Sequence, residues 1–448
     1  MMGRDGNGTR PPLSTQEAWV VIDLGFGDAG KGGITDFLVR DREAGLVVRF
    51  NGGAQAGHNV VTDDGRHHTF SQFCSGSFVP GVRGLLGPEF ILHPLGMMVE
   101  EEHLKTQGIE DGWSRTLIDE RARVITPYQQ AMNRIRELLR GTLHHGSCGV
   151  GIGECVGDSI EFPEDTIRAA DFAQPALLRE KLEGQRARTT QELHVQLGDE
   201  TLSLGVDRLA LREEMRIFDD SSLPARVLNA WSVFSSRARI VDAETTLTTI
   251  DDEPRVVFEG AQGMLLDQDW GFHPHTTWSD CSPRGALQLA GQRSVQVLGV
   301  TRAYSVRHGA GPFPTEGLAP SIAEAHNEDE GWQGSFRTGP LDGVLLRYAC
   351  DTAAQLDGIA ITHLDRLEEE EHTPVCLAYE TDDGTLLHRL VRGARSDLAG
   401  QARLGAMLRS VRPQISRVGD ITQEVARITE KPVVLHSSGP SSSAKKWI

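Results

Sequence analysis

Six short apolar runs, spread along the whole chain, are each followed at once by a polar or glycine-rich cluster. The runs are Trp19-Val20-Val21-Ile22, Leu46-Val47-Val48, Val256-Val257-Phe258, Val295-Gln296-Val297-Leu298, Ile359-Ala360-Ile361 and Val433-Val434-Leu435. Several lack polar alternation, which suits strands buried on both faces. Helical patterns lie between them, as at Pro127 to Leu139 and Gly343 to Leu356. Strands alternating with helices predict an α/β fold with a large, mostly parallel central sheet covered by helices. The clusters run from Gly25 to Gly32, Asn51 to His58, Glu259 to Gly263, Arg302 to Glu316, Thr362 to Asp365 and Ser437 to Pro440. In open α/β sheets ligands bind beyond the carboxyl ends of the strands. Six clusters on one edge therefore predict one composite site.

The chain's 448 residues suffice for a full core. Residues 16–448 read as a single α/β domain with small polar insertions at about 185–204 and 320–335. Gln185 to Leu204 has the composition of a solvated hairpin or loop. Residues 1–15, rich in Gly, Arg and Pro, read as a flexible extension rather than a signal peptide. No apolar run reaches 18 residues, so no membrane span is expected. The net charge of −18 disfavours nucleic acid as a partner. Six cysteines without metal-type pairing suit a reducing compartment, with the cytoplasm as the expected location. His67-His68 and His144-His145 have no carboxylate or Cys at ligand spacing and read as surface or core residues. Of 45 basic residues only six are lysines, and Lys31 is the only one before residue 100.

Gly25-Phe26-Gly27-Asp28-Ala29-Gly30-Lys31-Gly32 has the spacing G-x-x-x-x-G-K between a strand and a helix. Backbone N–H groups of Gly27, Gly30 and Gly32 can cradle phosphate, with Lys31 and the helix N-terminus adding positive charge. The hydroxyl residue that usually follows the lysine and holds Mg²⁺ is replaced by Gly32. Asp28 inside the loop is the obvious alternative carboxylate for the metal. The second cluster, Asn51-Gly52-Gly53-Ala54-Gln55-Ala56-Gly57-His58, ends on a histidine able to donate a proton near neutral pH.

These segments resemble the adenylosuccinate synthetase family. That family's W-G-D-E-G-K-G-K is similar to Phe26-Gly-Asp-Ala-Gly-Lys-Gly-Gly33, and its G-G-x-N-A-G-H to Gly52-Gly-Ala-Gln-Ala-Gly-His58. Glu259-Gly-Ala-Gln-Gly263 with Leu265-Leu266-Asp267, Gly311-Pro-Phe-Pro-Thr-Glu316 and Gly146-Ser-Cys-Gly-Val-Gly-Ile-Gly153 follow in the family's order. The resemblance implies a P-loop-like synthetase in which an NTP phosphorylates the 6-oxygen of a purine nucleotide. An amine, aspartate in the family, then displaces the phosphate. It implies Asp28 as catalytic base and Mg²⁺ ligand, His58 as catalytic acid, and a Gly57 carbonyl on Mg²⁺. It implies Asn51, Gln55, Ser147, Cys148, Gln262, Thr277 and Arg337 as contacts of the nucleotide substrate. Asp365, His363, Ser438 and Gly439 would hold the NTP, which is GTP in the family. It also implies a homodimer.

The departures from the family pattern bear on specificity. The arginine-rich T-T-G-R-x-R-R-x-G-W-L-D that grips aspartate is shortened here to Gly334-Ser-Phe-Arg-Thr-Gly-Pro-Leu-Asp342, keeping only Arg337. A different amine, or a different grip on aspartate, is expected. T-K-L-D becomes Thr362-His-Leu-Asp365, which leaves GTP and ATP both open. The last lysine of the first loop becomes Gly33, and S-T-G-P-x-R becomes Ser437-Ser-Gly-Pro-Ser-Ser442 without its arginine. The same scaffold also accommodates a kinase or NTPase that stops after phosphorylation, and a non-catalytic nucleotide-binding regulator.

Overall fold

The computed structural model of the chain describes residues 16–199, 206–318, 332–367 and 371–448. Its centre is a ten-stranded sheet built from β1 (Glu17–Asp23), β2 (Leu46–Arg49), β3 (Arg83–Leu86), β4 (Thr116–Asp119), β5 (Arg239–Val241), β6 (Arg255–Glu259), β7 (Ser294–Arg302), β8 (Gly358–Thr362), β9 (Val433–Ser437) and β10 (Lys445–Trp447). The order across the sheet is β10-β9-β8-β7-β1-β6-β2-β3-β4-β5. Every neighbouring pair is parallel except β9 and β10. The six runs predicted as strands form six consecutive strands of this sheet, β9 to β2.

The absence of polar alternation in β1 has a direct structural cause. Trp19 and Val21 pack into one core, and Ala18, Val20 and Ile22 into a second on the opposite face. Helix α1 (Lys31–Arg42) contributes Ile34, Phe37 and Leu38 to the first. Helix α5 (Gly343–Ala353) contributes Val344, Leu345 and Tyr348 to the second.

Between β4 and β5 the chain inserts a block of helices, including α2 (Pro127–Arg140), α3 (Ile152–Glu161) and α4 (Pro175–Asp199). Thr126 starts α2 with a capping box closed by Gln129. The stretch from Gln185 is not a hairpin or loop: it continues α4 to Asp199, with Gln185 and Leu193 buried. Its apolar residues are sparse because one narrow stripe suffices to dock a helix that is otherwise solvated. Residues 200–204 of that stretch, the extension at 1–15 and positions 320–331 of the second expected insertion lie outside the described residues.

Candidate active site

The turns after β1, β2, β6, β8 and β9 converge on one cavity of about 480 Å³. It is lined by Gly27, Asp28, Gly30, Lys31, Gly32, Gly57, His58, Gln262, His363, Asp365 and Gly439, all expected from the sequence. An adjoining cavity of about 730 Å³ is lined by Ser147, Cys148, Thr277 and residues of α2, α3 and α4. Gln55, Gln262, His308 and Gln333 line both and form the junction.

The first loop is held from below. Asp23, ending β1, accepts the N–H of Gly25 (2.7 Å) and of Ala29 (2.9 Å) and the ammonium of Lys31 (3.0 Å). This buried carboxylate fixes the loop and cancels the charge of Lys31. Lys31 therefore positions more than it attracts, a partner that the sequence reading did not include. Gly32 replaces the usual hydroxyl residue for a steric reason: a Cβ there would lie 2.9 Å from the backbone oxygen of Asn59 and the Cβ of His58. Similarly, a Cβ on Gly263 would lie 2.2 Å from the Gly25 oxygen, so the two loops touch backbone to backbone.

Asp28 has a left-handed backbone, φ 61°, as do Gln262 (φ 61°) and His363 (φ 58°). All three line the first cavity. Non-glycine residues in this region cost energy and cluster at functional sites. The Asp28 carbonyl accepts from Arg302 Nε at 2.6 Å. Burial raises the Asp28 carboxyl above its ordinary value, against the opposing pull of Arg302 and Lys31.

His58 is aimed by a carboxylate. Its Nδ1 lies 2.6 Å from Glu259 Oε1, and Glu259 also accepts the Ser75 N–H (3.1 Å) and hydroxyl. Burial alone would raise Glu259, but His58, Arg49 and Ser75 together hold it down to about 2. Burial lowers His58 to about 4, against the pull of Glu259. The anionic Glu259 fixes the tautomer with the proton on Nδ1 and leaves Nε2 free. That Nε2 is buried without a hydrogen-bond partner, and so are both amide atoms of Gln55. Buried polar atoms lacking partners on a cavity wall mark where a ligand's polar atoms belong.

Three expected contacts line neither cavity. Asn51 spends its amide on the Glu259–Gly263 turn and the segment behind it, accepting Ala261 N–H at 2.8 Å and donating to the Asp280 oxygen at 2.8 Å. Arg337 donates to Glu316 at 2.8 Å and to the carbonyls of Gly309 and Gly311. Ser438 binds back to the Ala444 oxygen through its N–H. Of the histidines around Pro274, His275 lines the second cavity, whereas His273 faces the Gln268 oxygen at 3.1 Å. Burial raises the Cys148 thiol, so it is an inert wall residue.

Sequence reasoning missed Asp23, the orienting role of Glu259, and Arg302, His308 and Gln333. A buried carboxylate ending an apolar strand, as in Asp23 and Glu259, is a signal that was available. His308 was signalled only as one member of the Arg302–Glu316 cluster; it reaches the junction because Ser305–His308 pairs antiparallel with Phe336–Gly339.

The oxygen donors Asp28 and Gly57 suit Mg²⁺, a hard cation that takes few protein ligands and keeps room for phosphates. Among the described residues no group of three or more His, Cys, Asp or Glu forms a closed metal cage.

A family model described as adenylosuccinate synthetase matches residues 20–401. An adenylosuccinate synthetase from Clostridium beijerinckii is 31% identical over 376 residues, covering 82% of both chains. One from Mycolicibacterium vanbaalenii is 33% identical over 376 residues, covering 82% of this chain and 81% of the relative. The solved structure of fully ligated adenylosuccinate synthetase from Plasmodium falciparum superposes with a TM-score of 0.74 at 20% identity, covering 97% of this chain and all of that one. The cyanophage S-2L succinoaminodeoxyadenylate synthetase bound to dGMP, with dATP as an energy donor, gives 0.57 at 15% identity over 97% and 96% of the chains. Both likenesses concern the fold.

Proposed function

The chain belongs to the adenylosuccinate synthetase family and is an NTP-dependent C–N ligase, and on that premise we propose that it phosphorylates the 6-oxo group of a purine nucleotide and lets an amine displace the phosphate. The observation that carries this reading is the junction. The cavity with the phosphate loop and the cavity behind Ser147 and Thr277 meet at Gln55 and Gln262, beside Asp28 and His58. The NTP occupies the first cavity and the purine nucleotide the second. The whole of residues 16–448 acts as one unit, because the site draws on residues from Gly27 to Lys445.

Asp28 takes the N1 proton of the purine, which makes the 6-oxygen a nucleophile. Gln262 and Gln55 hold the phosphoryl group as it passes, since phosphoryl transfer mostly requires positioning and charge neutralisation. The anionic substrates raise His58 from its low resting value, so that it donates from Nε2 to the oxygen that leaves with the phosphate. Asp28 and the Gly57 carbonyl would hold Mg²⁺, which when bound would neutralise phosphate charge. Either GTP or ATP fits this role: Asp365 accepts from a guanine edge, while His363 stands where the family carries lysine. A cytoplasmic homodimer belongs to the same reading. No described helix is long and apolar enough to cross a membrane.

Arg337, the one arginine kept from the family's clamp, does not grip the amine. Arg337 is committed to Glu316 and two carbonyls and lines neither cavity. Bidentate arginine is the usual grip on a carboxylate, so aspartate is either replaced by another amine or held differently. The test is phosphate release with GTP or ATP, Mg²⁺ and IMP, with and without aspartate, followed by mass spectrometry of the nucleotide. Release that requires an amine, with an adduct at carbon 6, supports the ligase reading. An adduct with aspartate removes the need for another amine. Release that ignores every amine tried would instead mean phosphorylation alone.

A further inference from the structure

Lys31 and Lys445 are the two buried lysines of the six in the chain, and both line the NTP-side cavity. They differ in what they meet. Lys31 is paired with Asp23 at 3.0 Å and brings no net charge. Lys445 donates to the carbonyl oxygens of Pro440 (3.1 Å) and Ser441 (2.9 Å) and, among the described residues, to no carboxylate. Its charge is therefore not cancelled by a direct ion pair, on a wall that must receive three phosphates.

Its location is defined by a vacancy in another element. A Cβ built on Gly33, in the first turn of α1, would lie 3.3 Å from Lys445 Nζ and 3.4 Å from its Cε. The ammonium thus occupies the space that a side chain at position 33 would enter. The lysine is held there rigidly. β10 pairs with β9, and the neighbouring Trp447 packs on Trp19 and Phe37 and donates to Asp41 at 3.0 Å.

Resting on the NTP-dependent reading above, we propose that Lys445 is the second cation of the triphosphate subsite, delivered by the C-terminal strand to the place where the phosphate loop has only Gly33. Burial lowers its ammonium to about 8, with Asp36 and Asp63 pulling the other way, so it is charged at neutral pH. A cation beside the N-terminal turn of α1 adds to the positive end of the helix dipole, and both favour an anion at that spot.

The experiment is calorimetric titration of the full chain with Mg²⁺ and GTP, ATP, guanosine or adenosine. Four forms are compared: wild type, Lys445→Ala, Lys445→Arg and the double variant Gly33→Lys with Lys445→Ala. Melting curves check that each folds. Lys445→Ala is expected to weaken the preferred NTP about 10- to 100-fold, the size of a charged hydrogen bond. The matching nucleoside should change less than about threefold, because it has no phosphate for the cation to meet. The double variant should regain most of the NTP affinity, since alanine clears the space a lysine at 33 needs. Lys445→Arg should retain part of it. Unchanged NTP affinity in Lys445→Ala overturns the proposal. Equal loss of NTP and nucleoside, with no rescue from position 33, also overturns it and makes Lys445 a brace for the Ser437–Ser441 turn. A wild type that binds neither GTP nor ATP would overturn the functional reading itself, and this inference with it.

Discussion

At the scale of single residues the site works through pairs in which a carboxylate sets what its partner does. On the proposed function Glu259 acts through His58, which it contacts at Nδ1. Glu259→Gln is expected to lower kcat about 10²- to 10⁴-fold, the usual value of a positioned proton donor. His58→Ala should fall by at least as much. The double variant should be no worse than His58→Ala alone, because one function is being removed twice. Steady-state kinetics of the three variants checks this, and additive losses would separate the two residues. Asp28→Asn should abolish turnover while leaving NTP affinity within about tenfold, since one neutralised carboxylate among several contacts rarely costs more. Residues of this kind were legible where the chain itself groups them, as in the loops ending at Lys31 and His58. Arg302 and His308 were legible only as members of the Arg302–Glu316 cluster and Lys445 not at all, because what each side chain faces is decided by how separate strands and loops come together.

At the scale of elements, the buried ends of strands and helices carry the energetics. Asp342 caps α5 by accepting the Leu345 N–H at 3.0 Å and also accepts the Tyr379 hydroxyl at 2.7 Å. Burial raises its carboxyl to about 6, against those hydrogen bonds. A carboxyl whose folded value exceeds its unfolded one binds its proton more tightly when folded. Its contribution is complete below about 4 and is lost as pH rises through about 6. Asparagine keeps the neutral form at all pH, so the stability deficit of Asp342→Asn should be larger at pH 4.5 than at pH 8, by about 2 kcal/mol. Denaturant melts at the two pH values check the sign. Trp447→Ala should cost about 3–5 kcal/mol, as expected for a large buried aromatic, and should weaken NTP binding together with stability because Lys445 rides on the same strand. The six central strands were readable because burial on both faces leaves an uninterrupted apolar run. The helical block between β4 and β5 was read in part as loop, since helix α4 buries only a thin stripe.

For the whole molecule, the proposed function has phosphoryl transfer precede displacement by the amine. With GTP or ATP labelled in the β–γ bridging oxygen, label should scramble into non-bridging positions when IMP is present and every amine is absent. Phosphorus NMR detects this. Scrambling without IMP would mean the donor is cleaved independently of the purine. That one composite site exists was evident from six clusters on one sheet edge; that it divides into two chambers sharing Gln55 and Gln262 was not, because the wall between them is made by side chains from separate loops.

The place of β1 has a consequence for how the protein is made. Among the described strands it comes first in the chain, yet it lies in the middle of the sheet between β6 and β7. Both its hydrogen-bonding edges must wait for residues beginning at Arg255 and Ser294. At ribosomal speeds that delay is on the order of 10–50 s. For that interval a strand with both edges unpaired hangs from the ribosome. Yield in the cell should therefore depend on what shelters the nascent chain, and slower translation upstream of residue 255 should lower it even where the finished protein is equally stable.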